Sequence, residues 1–321
     1  MIGLIITLAV LGVFLIFVIS ASYYAYRSAF YAKGSKAHVS GYFEKSGSLI
    51  PLEDDIRTHT STLLADEYED VFITAYDGVK LHARYYHAND GAPVEIFMHG
   101  YKGNPFRSMS GLYKIAKESG HNVLIADQRG CGKSGGKAVT FGIKERYDTR
   151  SWVEYVSSRF STDILLVGIS LGGASVLMAN DGTLPDCVKG VIADCPFSSP
   201  VGILKKVCQD SGVPSAFFPF VVLGALLFAH FNPYSNRADT AVKKATVPIL
   251  ILHGEDDGFV PISMAEDIYK SCASKKYIYR FPKADHAVCY FVDKEGYKNA
   301  VTGFVTECLA SRESNPFVSE R

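Results

Sequence analysis

The chain shows no excess of charge of either sign, with 33 basic side chains matched by 33 acidic ones in 321 residues. Its basic residues do not gather into a stripe either, so it lacks the field that nucleic acid requires, and nucleic acid is set aside as a partner. Cysteine is scarce and follows no pairing pattern. Cys131, Cys187, Cys195, Cys208, Cys272, Cys289 and Cys308 are odd in number, widely spread and free of any C-x-x-C pair. A disulfide framework and a zinc site are therefore not indicated, and the thiols read as small core residues. Internal repeats and low-complexity stretches are missing as well. A hydrophobic content of 48% supplies a sizeable core and excludes wholesale disorder.

Charge is absent altogether from residues 1–26, and Ile2 to Ile19 is almost continuously apolar. That run approaches the roughly twenty residues a helix needs to cross hydrocarbon. Tyr23, Tyr24 and Tyr26 follow it, as aromatic residues do at a bilayer interface. A signal peptide calls for a basic start, which Met-Ile-Gly does not supply, and a buried core helix normally keeps one polar face. The expectation is a retained single-pass anchor at 1–26. The first basic residues, Arg27, Lys33 and Lys36, lie on its C-terminal flank, which by the positive-inside rule puts the rest of the chain in the cytoplasm.

Residues 27–66 are mixed and polar without strong periodicity, and read as a stalk and lead-in. From 67 to 321 the pattern is that of one domain. Runs at 71–74 and 79–86 flank Tyr-Asp-Gly as a hairpin would. Buried strands are expected at 94–98, 122–126, 164–167, 188–193, 249–252 and 277–281. Helices are expected at 106–118, 146–159, 171–180, 263–271 and 294–310. This alternation predicts an α/β fold with a mostly parallel sheet covered on both faces. One stretch, 196–246, breaks the rhythm as a long insertion. Its apolar middle, with Phe217, Phe218, Phe220, Leu223, Leu226 and Leu227, suggests a helical lid that favours apolar substrates.

Residues 164–173 read Ile-Leu-Leu-Val-Gly-Ile-Ser-Leu-Gly-Gly, an apolar strand running through G-x-S-x-G into a helix. A serine hydroxyl is a weak nucleophile and must be held on a sharp turn, open to a base and to substrate. Ser170 is the candidate. In this strand–turn–helix context the acid and then the histidine follow the serine in sequence. Of the later histidines, His230 sits in an apolar stretch and His253 closes a strand, whereas His286 lies in a polar turn before the last helix. His286 is the candidate base. The acid comes from Glu255, Asp256 and Asp257, three successive carboxylates in the turn after a strand, which spacing alone does not separate. A backbone N–H within 97–104 and that of Leu171 are candidates to bind an oxyanion. His99 reads as a structural residue of that loop, and the His-Gly pairs at 99–100 and 253–254 lie too far apart to suggest a metal.

With these motifs, Asp-Gln-Arg-Gly-Cys-Gly-Lys-Ser at 127–134 and Asp-Cys-Pro-Phe-Ser-Ser at 194–199, the chain resembles the α/β-hydrolase superfamily from about Val71 to Ala310. The nearer resemblance is to BEM46-like and peptidase S9-like hydrolases, several of which carry an amino-terminal anchor. The resemblance implies an α/β-hydrolase fold with a helical lid insertion. Through His-Gly-Glu-Asp-Asp-Gly-Phe-Val-Pro at 253–261 it assigns the acid to Asp257, and through His-Gly-Tyr it assigns one oxyanion N–H to Tyr101. It also implies hydrolysis of a small ester or acyl substrate without a cofactor, the chain meeting the membrane through its first helix. A peptidase of the same fold and an anchored, non-catalytic binding module are the alternatives. Nothing in the sequence names a protein partner.

Overall fold

The computed structural model describes residues 1–32 and 50–310. The middle of the segment read as a stalk, 33–49, and the tail 311–321 lie outside the described residues. The first helix, α1 (Ile2–Ala25), runs without a break into a π-helical turn at Tyr26–Phe30. Next come α2 (Glu53–Ala65), the hairpin β1 (Glu69–Thr74) and β2 (Lys80–Tyr86), β3 (Val94–Met98), α3 (Ser110–Glu118) and β4 (Asn122–Asp127). They are followed by α4 (Glu145–Phe160), β5 (Ile164–Ile169), α5 (Leu171–Ala179) and β6 (Val188–Asp194). The insertion holds α6 (Pro200–Asp210) and α7 (Phe218–Leu227), after which β7 (Ile249–Gly254), α8 (Ile262–Ser271), β8 (Lys276–Phe281) and α9 (Lys294–Ala310) follow to the end of the described residues.

The eight strands form one sheet in the order β1-β2-β4-β3-β5-β6-β7-β8. β2 pairs antiparallel with both β1 and β4, and every other pairing is parallel. β3, β4, β5 and β7 are buried along their whole length, which is why they read as continuous apolar runs rather than alternating ones. α5 is apolar all round because it is enclosed on all sides, with each of its nine residues buried. The chain leaves β3 toward one edge of the sheet and β5 toward the other. The crevice between their C-terminal ends is the switch point at which open α/β sheets bind ligands.

Both described ends of the 27–66 segment pack on the domain instead of hanging free. α2 carries three carboxylates in its first turn, which suits the positive end of the helix dipole. It buries Ile56 and Leu63 in the same cluster as Leu112, Tyr113 and Ile115 of α3, and Glu53 takes a bidentate bond from Arg107 at 2.8 and 2.6 Å. Phe30 is 0% exposed and lies edge-on to Phe141 and Phe231. Only two apolar positions of α2 and a five-residue turn make these contacts, too few to register as a periodic pattern. Phe30→Ala is expected to destabilise the protein by about 3 kcal/mol, the scale of a large-to-small change at a buried aromatic. Thermal unfolding of the full chain in detergent checks this, with a fall in Tm of roughly 10 °C expected. An unchanged Tm would mean that the turn is a detached linker after all.

The insertion turns its apolar helix toward α1. α7 lies along α1, with Phe220 edge-on to Phe17 and Phe228 edge-on to Tyr23. A Cβ on Gly224 would come within 2.6 Å of the Ser22 carbonyl, so glycine is what lets the two helices meet. Of the residues expected to line a lid, Phe218 is buried, while Phe217, Leu226 and Leu227 are exposed.

Candidate active site

Ser170 stands on the sharp turn between β5 and α5 with φ 56° and ψ −114°, a strained setting for an L-residue that costs on the order of 1–3 kcal/mol. The turn closes because two neighbours lack side chains. A Cβ on Gly172 would sit 1.8 Å from the Met98 carbonyl oxygen, and one on Gly168 would sit 2.3 Å from the carbonyl carbon of Gly172. The result is a hydroxyl lifted off the sheet at the end of a buried strand.

The loop after β8 brings His286 to that hydroxyl. Its Nε2 lies 2.9 Å from Ser170 Oγ and its Nδ1 lies 2.7 Å from Asp257 Oδ2. An ionised carboxylate only accepts, so Nδ1 carries the proton and Nε2 is left to accept the serine O–H. The other oxygen of Asp257 accepts the backbone N–H groups of Phe259 and Val260 at 3.0 and 2.7 Å. Glu255 and Asp256 are exposed while Asp257 is buried, so burial makes the distinction that spacing could not. All three members of the chain are nearly inaccessible, at 6%, 3% and 7% exposure for Ser170, His286 and Asp257. A base held between a carboxylate and a hydroxyl in this way can draw the serine proton during attack.

The two oxyanion candidates flank the nucleophile. Leu171 opens α5, so its N–H has no acceptor within the helix. The loop after β3 lies against the elbow, since a Cβ on Gly100 would be 3.6 Å from Ser170 Cβ, and Tyr101 follows directly. The side chain of Tyr101 points to the turn that follows α1: its hydroxyl donates to the Ala29 carbonyl at 2.5 Å, and its ring lies 5.4 Å from that of Phe141. Beside it Lys102 donates to the Ser28 carbonyl at 3.4 Å, and burial pulls its ammonium down to about 8. His99 is buried and its pKa is lowered by desolvation. Its ring donates to the Gly100 carbonyl at 2.7 Å and accepts the Gln128 N–H at 3.0 Å, which is the loop-shaping part expected of it. His253 donates to the Val260 carbonyl at 2.9 Å and so braces the acid turn.

Cys195 was not foreseen as a neighbour of the site. It follows the last residue of β6 with φ 43°, and its Sγ lies 3.9 Å from His286 Nε2. Burial pushes this thiol well above its ordinary range, so it stays neutral and does not compete with Ser170 as a nucleophile. Beneath it, Asp194 accepts from the Tyr297 hydroxyl at 2.8 Å, and burial raises the carboxyl to about 6. The only hint in the sequence was the Asp-Cys-Pro at the end of β6. Cys195, Asp257 and His286 offer ligand atoms within 4.8 Å of one another. Both imidazole nitrogens are already engaged, so this grouping is the hydrogen-bonded chain itself and not a separate metal centre.

The Asp-Gln-Arg-Gly motif has a structural part. Asp127 accepts from His82 at 2.7 Å and from the Lys133 N–H at 2.8 Å. Arg129 forks onto Asp148 at 2.6 and 2.5 Å and reaches Asp77 at 2.9 Å, which pins the hairpin to α4.

Known proteins share this fold. Residues 96–297 match the model of the alpha/beta hydrolase family. The chain is 26% identical to YqkD of Bacillus subtilis, over 68% of this chain and 72% of that protein. It is also 26% identical to bem46 of Schizosaccharomyces pombe, over 75% and 77%. Among solved structures, the esterase Pf2001 of Pyrococcus furiosus superposes with a TM-score of 0.64 at 23% identity, over 77% of this chain and 93% of that one.

Proposed function

The chain belongs to the alpha/beta hydrolase family, and on that premise we propose that it is a serine hydrolase that cleaves a carboxylic ester or thioester through an acyl-enzyme. The observation that carries the reading is the continuous chain Asp257–His286–Ser170, with contacts of 2.7 and 2.9 Å. Ser170 Oγ attacks the acyl carbon while His286 Nε2 takes its proton. The carboxylate of Asp257 stabilises the imidazolium that forms. The N–H groups of Tyr101 and Leu171 receive the oxyanion. His286 then returns the proton to the departing alcohol or thiol, and water activated by the same nitrogen releases the acid. No step calls for a cofactor. That Pf2001 is an esterase lends support to the choice of bond.

An apolar acyl group suits the surroundings. Loops at the C-terminal ends of the strands carry aromatic rings, Tyr101 to Phe141 at 5.4 Å and Phe141 to Phe197 at 6.2 Å, and Phe259 lies beside His286 at 5.1 Å. Each methylene withdrawn from water contributes about 0.8 kcal/mol, or roughly fourfold. With p-nitrophenyl esters, kcat/KM is therefore expected to rise about fifteenfold from acetate to butyrate, which differ by two methylenes. A flat or falling series would exclude an apolar acyl subsite and favour a polar ester or a peptide.

We read α1 as a retained anchor, with the domain on the cytoplasmic side. Its 24 residues extend about 36 Å, enough for a hydrocarbon core of about 30 Å. The buried Ser22, Tyr26 and Phe30 support retention, because cleaving the segment would strip contacts from α7 and from Phe141.

A further inference from the structure

Where α1 meets the domain there is a cavity of about 590 Å³, open to solvent and walled by the end of the anchor, the end of α7 and the loop 136–144. Four cations line it: Arg27, Arg129, Lys137 and Lys144. Arg129 is committed to Asp77 and Asp148. Glu145, nearby and buried, is occupied with Thr140 and the Gly142 N–H. Asp77, which Arg129 holds, also lines the cavity and lies close enough to Lys144 to feel its charge, while Arg27 and Lys137 form no ion pair with a described residue. The guanidinium of Arg27 lies over the Tyr31 ring at 3.7 Å, which holds it ready in the wall.

The position of this cavity relative to a bilayer follows from the two helices beside it. Tyr23 and Tyr24 are exposed at the end of α1, at the level where aromatic residues meet headgroups. Phe17, which touches Phe220, is nine residues before Tyr26, or roughly 13 Å deeper along the helix. Phe220, near the start of α7, therefore lies at the depth of Phe17, whereas the exposed Leu226 and Leu227 lie at the other end, next to Phe228 and the tyrosines it touches. Leu227 and Phe228 line the cavity together with Arg27, Lys137 and Lys144.

We propose that this cavity binds the phosphate-bearing headgroup of an anionic phospholipid whose chains run beside α1 and α7. The inference rests on reading α1 as a membrane span. A basic pocket at the cytoplasmic end of a span attracts such headgroups. The apolar part of the lining favours a lipid over free phosphate, because a soluble anion gains nothing from Leu227 or Phe228.

The test uses the full chain in a non-ionic detergent, titrated calorimetrically with dihexanoyl-phosphatidylglycerol, dihexanoyl-phosphatidylcholine and inorganic phosphate. Phosphatidylglycerol is expected to bind at one site per chain, at least tenfold more tightly than phosphatidylcholine, and millimolar phosphate is expected not to displace it. The double variant Lys137→Ala, Lys144→Ala should lose about thirtyfold in affinity for phosphatidylglycerol. Both lysine side chains are solvent-accessible, so an unchanged rate of fluorophosphonate labelling serves as the folding control. Equal binding of the two lipids, or a variant that keeps the preference, overturns the headgroup site. Phosphate that competes as well as the lipid overturns the lipid source. Recovery of the full chain from the soluble fraction of cells is a separate result, and it would remove the anchor itself.

Discussion

A Ser170→Ala protein is expected to show no covalent labelling by a fluorophosphonate and a kcat lower by roughly 10⁶-fold, the scale found when a serine nucleophile is removed from such a site. What remains is the contribution of the oxyanion donors and of binding, which alone still exceed water by about 10³–10⁴. The substitution is gentle on the fold. It keeps the Cβ and removes the oxygen that bonds to His286 Nε2. Alanine at φ 56° is no less strained than serine, so the elbow keeps its shape at similar cost. Mass spectrometry of the labelled wild-type protein should find the adduct on the peptide that contains Ser170. Turnover at the wild-type level by a folded Ser170→Ala protein would sink the acyl-enzyme mechanism. A wild-type protein that neither labels nor turns over any ester would instead favour the anchored binding module.

Asp257→Asn is expected to lower kcat by about 10⁴-fold with little change in KM. The reason lies in the two backbone donors. Phe259 and Val260 both aim their N–H groups at Oδ1, so an asparagine must present its carbonyl to them and its NH₂ to His286. Nδ1 must then accept, the ring proton moves to Nε2, and the nitrogen that should draw the serine proton no longer can. Asp256→Asn is expected to change kcat less than twofold, since its carboxylate is exposed and makes no described contact with the histidine. Steady-state kinetics on the pair, with circular dichroism as a folding check, decides between them. If Asp256→Asn proved the damaging change, the carboxylate that orients His286 during turnover would not be the one bonded to it here.

Much of this was legible in the residues because it is local or periodic. The buried parallel strands announce themselves as short apolar runs, and the elbow as glycines around a serine at a strand end. The order serine, acid, histidine then narrows three histidines to one. Legibility failed where function depends on partners distant in sequence. Nothing local marks Cys195 as a neighbour of His286, 91 positions away. Phe30 is one aromatic residue in a polar stretch, and only the packed structure reveals Phe141 and Phe231 against it. The apolar face of α7 reads equally well as a cover for the site or as a partner for α1, because burial is non-directional in sequence. The carboxylates at 255–257 are alike in composition and differ only in which of them the turn folds inward.

The unbroken passage from α1 into the turn at Tyr26–Phe30 also constrains how this protein can vary through time. Each residue added to or removed from a helix rotates everything beyond it by about 100°. A single-residue insertion or deletion near Ala25 would carry Phe17 away from Phe220, or carry Phe30 out from between Phe141 and Phe231. It would also move the Ala29 carbonyl off the Tyr101 hydroxyl. The first helix can thus drift freely in composition along its lipid face and can lengthen or shorten at its start. At its junction with the domain it is held in phase, and descendants of this chain should conserve the count of residues there more strictly than their identities.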